Sequence, residues 1–272
     1  MTDELFPKDF FAALSQLPLN NRYADYSNSA ALRAAQQRSL NRRNYQAGDS
    51  RKLVDWRSSA RSMQLMVQPL QDAHSRNLLL CLDRSASTLN CSADRDFAQR
   101  RLAFALGMRC LTANGNLDII AGTKRIGLAG HSQISQLQDF LQTLSSNQNE
   151  DIDFSMLPTV SSTSEMVLLS DPWLAVDEII VARQIRQLRC LLLLTERELN
   201  LPTAKLRLRN AETHELLQVD WRAHPPQQRF GNHVDAQLQS LKKIGFNGCI
   251  VSCPAVSAAV QLVENSREFL LH

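Results

Sequence analysis

A chain of 272 residues with 44% hydrophobic side chains is long enough for one sizeable α/β core plus an extension, and a formal charge of +3 makes no electrostatic case for general polyanion binding. No apolar run approaches the roughly 20 residues of a membrane helix, so direct membrane insertion is not expected. The opening MTDELFPKDFF carries acids at Asp3 and Glu4 and lacks a charged-then-apolar signal pattern, so a cytoplasmic location is expected. Cys81, Cys110, Cys190 and Cys249 lie in or beside apolar runs and no C-x-x-C pair occurs; the cysteines read as reduced core thiols rather than a disulfide framework.

In chain order, residues 1–41 read as a loosely attached helical arm. Phe10, Phe11, Leu14 and Leu17 recur at helical spacing until Pro18, and the Ala/Gln-rich stretch from Ser29 to Arg38 favours a second helix. Residues 42–76 hold a polar turn and a lead-in strand in which Leu65 and Val67 alternate with Gln64 and Gln68. From 77 to 272 strands and helices alternate. A strand at 77–82 precedes a helix at 93–112, capped by Ser92 and with Asp94 and Asp96 in its first turn. A strand pair at 117–121 and 125–128 flanks Gly122-Thr123-Lys124, and an amphipathic helix follows at 133–144. Next come a strand at 166–169 ending in Ser170-Asp171-Pro172, a helix at about 175–187 and a strand at 191–194. The tail reads as a hairpin (205–208 with 216–219), a helix over 235–244 stopped by Gly245, a short strand at 250–251 and a closing helix over 255–271. Such alternation predicts a mainly parallel sheet with helices on both faces.

The segment Asn77–Ser87, NLLLCLDRSAS, carries the most chemistry. An uninterrupted apolar strand, suited to burial on both faces, ends in Asp83, Ser85 and Ser87. At the carboxyl edge of a parallel sheet these are hard oxygen donors, matched to Mg²⁺ or Mn²⁺ and poorly matched to zinc. The spacing D-x-S-x-S resembles the first element of the metal-ion-dependent adhesion site of von Willebrand factor A domains.

A wider resemblance surrounds it. The residues Arg43, Tyr45, Gly48, Asp49, Arg51, Asp55, Trp56, Ser59, Ala60 and Arg61, in their order and at their distance before Asp83, resemble the signature of the bacterial family catalogued as domain of unknown function 58. The run Thr195–Pro202, TERELNLP, is similar to that family's D-P-x-E-x-x-x-P segment, and Ser170-Asp171 stands where its second acidic loop falls. The resemblance spans residues 42 to about 252. It implies a von Willebrand factor A-like, Rossmann-type sheet over 77–272, with a helical amino-terminal arm at 1–41 and the Arg/Gly-Asp/Asp-Trp block at 42–76. It implies a metal set of Asp83, Ser85, Ser87 and Asp171. It also implies partnership with a MoxR-type AAA+ ATPase acting on a protein client. The middle loop of such a site offers a threonine; its counterpart here is Asp151-Ile152-Asp153, and an isoleucine donates no oxygen.

In the block, Arg43, Arg51 and Arg61 alternate with Asp49 and Asp55, and Tyr45 and Trp56 are available for stacking. The acids would consume the basic charge in planar pairs, so a structural network or partner-docking surface is expected and nucleic acid is not. Catalytic signatures are lacking: no P-loop, G-x-S-x-G elbow or H-E-x-x-H pair occurs, and no catalytic residue is nominated. His74, His131, His214, His224 and His233 read as scattered surface residues. Three functions stay open. The first is a non-enzymatic interaction module with a cation at its rim. The second is the same module, metal-independent, working through its loops and its Arg/Asp block. The third is a metal-dependent phosphohydrolase, against which Ser85 stands where a second acid is needed.

Overall fold

The computed structural model describes residues 4–17, 43–44, 54, 56–62, 64–67, 77–90, 92–113, 115–144, 165–174, 187–209, 215–222 and 226–271. The chain divides into two compact units, one of Met1–Pro18 with Arg76–Leu271 and the other of Leu19–Ser75. The expected second helix at 29–38 and all but the last residue of the helix expected at about 175–187 lie outside the described residues; Gln187 itself belongs to a strand.

Within the larger unit the first element is helix α1 (Lys8–Gln16). For residues 4–17 the expectation of a loose arm is corrected; the rest of the expected arm lies outside the described residues. Phe6, Phe10, Leu14 and Leu17 are buried in the main hydrophobic core, and the Phe6 ring lies 4.8 Å from that of Phe104. A nine-residue helix has little stability of its own, so its apolar stripe orders it only by docking. In the smaller unit, strands β1 (Arg43–Asn44) and β2 (Met66–Val67) pair antiparallel. The Met66 N–H donates at 2.9 Å to Ser59 Oγ on helix α2 (Trp56–Ser62).

Among its described residues the larger unit is built on six strands: β3 (Asn77–Leu82), β4 (Asn116–Ala121), β5 (Lys124–Ala129), β6 (Glu165–Ser170), β7 (Gln187–Thr195) and, after a separate hairpin of β8 (Lys205–Arg209) and β9 (Leu216–Asp220), β10 (Phe246–Cys253). Their order across the sheet is β10-β7-β6-β3-β4-β5, parallel throughout except for β5 at one edge. The chain steps outward from β3 to β4 and β5, then returns to the other side of β3 with β6. Strand order therefore reverses between β3 and β6, and the crevice beyond their carboxyl ends is where open parallel sheets bind ligands.

Alternation along β3 explains why both faces are covered. Leu78, Leu80 and Leu82 belong to one core, together with α1, helix α4 (Ala93–Thr112) and helix α5 (Ile134–Thr143). Leu79 and Cys81 belong to a second core with Leu241 of helix α7 (Pro226–Lys243). Helix α3 (Ala86–Asn90) is a single turn directly after β3. Helix α7 starts nine residues before the expected Asp235, because Pro226 suits the first helical position, where its missing N–H costs nothing. It stops as expected at Gly245, whose φ of +99° favours glycine. The expected closing helix is split into α8 (Ala259–Asn265) and α9 (Arg267–Leu271) at Ser266, which is buried and turns its hydroxyl back to the Leu262 carbonyl at 2.7 Å. The remaining short helix, α6 (Glu196–Leu199), follows β7 directly. Among the described residues no helix is long and apolar enough to cross a membrane.

Candidate functional site

Register places the site. Leu82 of β3 lies opposite Leu169 of β6, so Asp83 leaves the sheet beside Ser170, and the Asp83 N–H donates to the Leu169 carbonyl at 3.0 Å. Gln99, buried on α4, ties the two ends together by donating to the Asp83 carbonyl at 2.7 Å and the Leu169 carbonyl at 2.9 Å.

The Asp83 carboxylate is heavily used. Its Oδ1 accepts the Ser85 N–H at 2.9 Å, and its Oδ2 accepts the Thr88 hydroxyl at 3.1 Å and the Ser170 hydroxyl. Ser85 Oγ and Ser87 Oγ lie 3.1 Å apart. Asp171, the residue after β6, has 0% exposure. Its Oδ1 accepts the Trp173 N–H at 2.8 Å, while its Oδ2 has no hydrogen-bond partner. Burial, and then the neighbouring Asp83, push the Asp171 carboxyl above the ordinary carboxylate range; Arg95, the Ser87 hydroxyl and the Trp173 N–H act in the opposite sense. Asp83, Ser85, Ser87 and Asp171 thus meet at one rim, at the reversal of strand order.

Sequence reasoning missed the residue that links this rim to β7. Arg95, fully buried in the first turn of α4, donates to the Ser87 carbonyl at 3.0 Å, the Leu193 carbonyl at 3.1 Å and Glu198 Oε2, and lies 3.5 Å from Asp171 Oδ2. Glu198 is held in turn by the backbone N–H and the hydroxyl of Thr195, each at 2.9 Å. Two signals were present. A basic residue in a helix's first turn opposes the dipole, and Thr195-x-x-Glu198 has capping-box spacing. Beside this lies a second buried network, in which Asp96 accepts from Arg84 at 2.6 Å and from Arg100.

His233 is not a free surface residue as expected. It is half-buried, its ring stacks on Trp173 at 4.3 Å, and its Nε2 lies 2.9 Å from the Pro172 carbonyl. Trp173 remains 55% exposed beside the rim.

Among the described residues no three His, Cys, Asp or Glu side chains form a metal-holding group. Any cation at the rim would rest on hydroxyls and water as much as on carboxylates. Cys81, Cys190, Cys249 and Cys253 are free thiols, and burial pushes Cys81 up to about 12. Of the Arg/Asp block, Arg43 lies on β1, Trp56 opens α2 and Arg61 stands exposed near its end. Tyr45, Asp49, Arg51 and Asp55 lie outside the described residues, as does the middle loop with Ile152.

The family described as "Protein of unknown function DUF58" matches residues 41–239. The chain belongs to this family. A 45-residue stretch is 47% identical to the "Uncharacterized protein YeaD" of Bacillus subtilis (strain 168), covering 16% of this chain and 11% of that protein's length. The DUF58 match takes in Asp83, Ser85, Ser87, Arg95, Asp171 and Glu198, and stops before β10.

Proposed function

We propose that this DUF58 chain is a non-enzymatic, cytoplasmic protein-interaction module with a von Willebrand factor A-like, Rossmann-type sheet. It partners a MoxR-type AAA+ ATPase in assembling or remodelling a protein client. The strand order, the antiparallel edge strand and the D-x-S-x-S loop at the crevice support the fold part of this reading.

The observation that carries the site is the convergence of Asp83, Ser85, Ser87 and Asp171 around a buried carboxylate oxygen that no donor satisfies. Such an oxygen, with two hydroxyls close by, suits a hard divalent cation. Mg²⁺ or Mn²⁺ would be held by Ser85, Ser87 and Asp171, with Asp83 fixing the hydroxyl loop. Because Mg²⁺ keeps several waters, few protein oxygens suffice. A bound cation would offer its open position to an acidic side chain of the partner. The exclusion of water from that contact would strengthen it.

Calorimetric titration of Mg²⁺ and Mn²⁺ into the wild type and Asp83→Ala tests this. Heat of binding in the wild type and none in the variant is expected; identical silence in both means that the wild-type rim holds no cation under those conditions. Binding of the purified ATPase should then weaken on chelation.

A metal-independent module is the second reading, favoured by a specific observation. Both oxygens of Asp83 already accept protein donors, and Arg95 stands beside Asp171. In that case chelation leaves partner binding unchanged, while charge reversal at Arg51 or Arg61 weakens it.

A further inference from the structure

Arg95 is costly where it sits. A cation in the first turn of α4 faces the positive end of the helix dipole, and its complete burial adds a desolvation penalty. Oxygens drawn from three separate elements, α3, β7 and α6, offset that cost. The guanidinium donates to the Ser87 carbonyl in α3, the Leu193 carbonyl in β7 and Glu198 Oε2 in α6. Its approach to Asp171 differs from these contacts. At 3.5 Å it gives Asp171 Oδ2 charge but no hydrogen bond. Glu198, itself fixed by Thr195, accepts from Nη2 of the guanidinium, whereas the nitrogen nearest Asp171 Oδ2 is Nη1.

We propose that Arg95 is the rim's resident counter-charge and competes with a divalent cation for Asp171, and that Glu198 sets the strength of this competition by holding the guanidinium back. The proposal rests on the cation reading of the site. A positive charge fixed beside a cation's ligand disfavours the cation, and in a water-poor crevice that repulsion is poorly screened. Arg95 is therefore a positioning and affinity-setting residue, outside the ligand set.

The test is Mn²⁺ titration by calorimetry into the wild type, Arg95→Met and Glu198→Gln, with the melting temperature of each followed with and without Mn²⁺. Arg95→Met is expected to bind Mn²⁺ at least tenfold more tightly than the wild type and to gain a larger thermal shift from it. Glu198→Gln keeps an acceptor for Thr195 but loosens the grip on Arg95, so it is expected to bind several-fold more weakly. Binding by Arg95→Met where the wild type is silent also supports the competition. If the wild type binds and Arg95→Met binds equally or less well, the competition is overturned and the cation reading stands. Silence in all three proteins removes both. Should Arg95→Met fail to fold, Glu198→Gln decides alone, and an affinity equal to or above that of the wild type overturns the proposal.

Discussion

Asp171 is a fully buried carboxylate that stands beside a second one, Asp83. Its carboxyl, raised by burial and by Asp83, binds a proton more tightly in the folded protein than in the unfolded chain. Its stabilising contribution is therefore complete at low pH, below the unfolded value, and is lost as pH rises through the raised folded value. Asp171→Asn removes that titration. Its melting temperature relative to the wild type should improve as pH is raised from about 4, the ordinary carboxylate value, by roughly 2–4 °C for each kcal/mol relieved. Paired thermal scans across that range check this, and a flat difference would show that Asp171 carries no such burden. Asp83, Ser85, Ser87 and Asp171 were legible in the sequence because each follows an apolar strand that breaks off abruptly into oxygen-bearing side chains, the pattern of a buried strand reaching its sheet edge. The contacts that join Gln99 to β6 and Arg95 to β7 and to Glu198 were not, because they span 70, 98 and 103 residues of chain, and spacing alone cannot assign such contacts.

Helix α1 shows what periodicity reveals about an element and what it hides. The recurrence of Phe10, Phe11, Leu14 and Leu17 announced a helix, yet the surface that receives it belongs to α4 and α8, whose placement depends on the whole sheet. Arg101 completes the docking by donating to the carbonyls of Glu4, Leu5 and Val256 at 3.1, 2.7 and 2.7 Å. Phe10→Ala should cost roughly 3–5 kcal/mol, read as a lower melting temperature and earlier proteolytic loss of the amino terminus. A melting temperature within a degree of the wild type would mean that α1 is not part of the core. At the other end of the sheet, Gly245→Ala forces a side chain into φ +99° and should cost about 1–2 kcal/mol in denaturant unfolding, while an unchanged midpoint would contradict the turn described. Boundaries were less legible than elements. The start of α7 and the break at Ser266 turn on a proline at the first helical position and on one serine hydroxyl, both weaker signals than an apolar stripe.

At the scale of the molecule, the strand–helix alternation predicted a mainly parallel sheet with helices on both faces, and the described residues form one. What alternation does not encode is strand order, since outward and return steps look alike in sequence; the crevice follows from that order. The ligand site proposed for this molecule is the rim at that reversal point, and the DUF58 match spans it. The decisive measurement is anomalous scattering from crystals equilibrated with Mn²⁺. A single manganese peak is expected at the rim, within bonding distance of Ser85, Ser87 or Asp171 oxygens. A map at saturating Mn²⁺ with no peak there, or with its peaks elsewhere on the surface, would contradict the cation site.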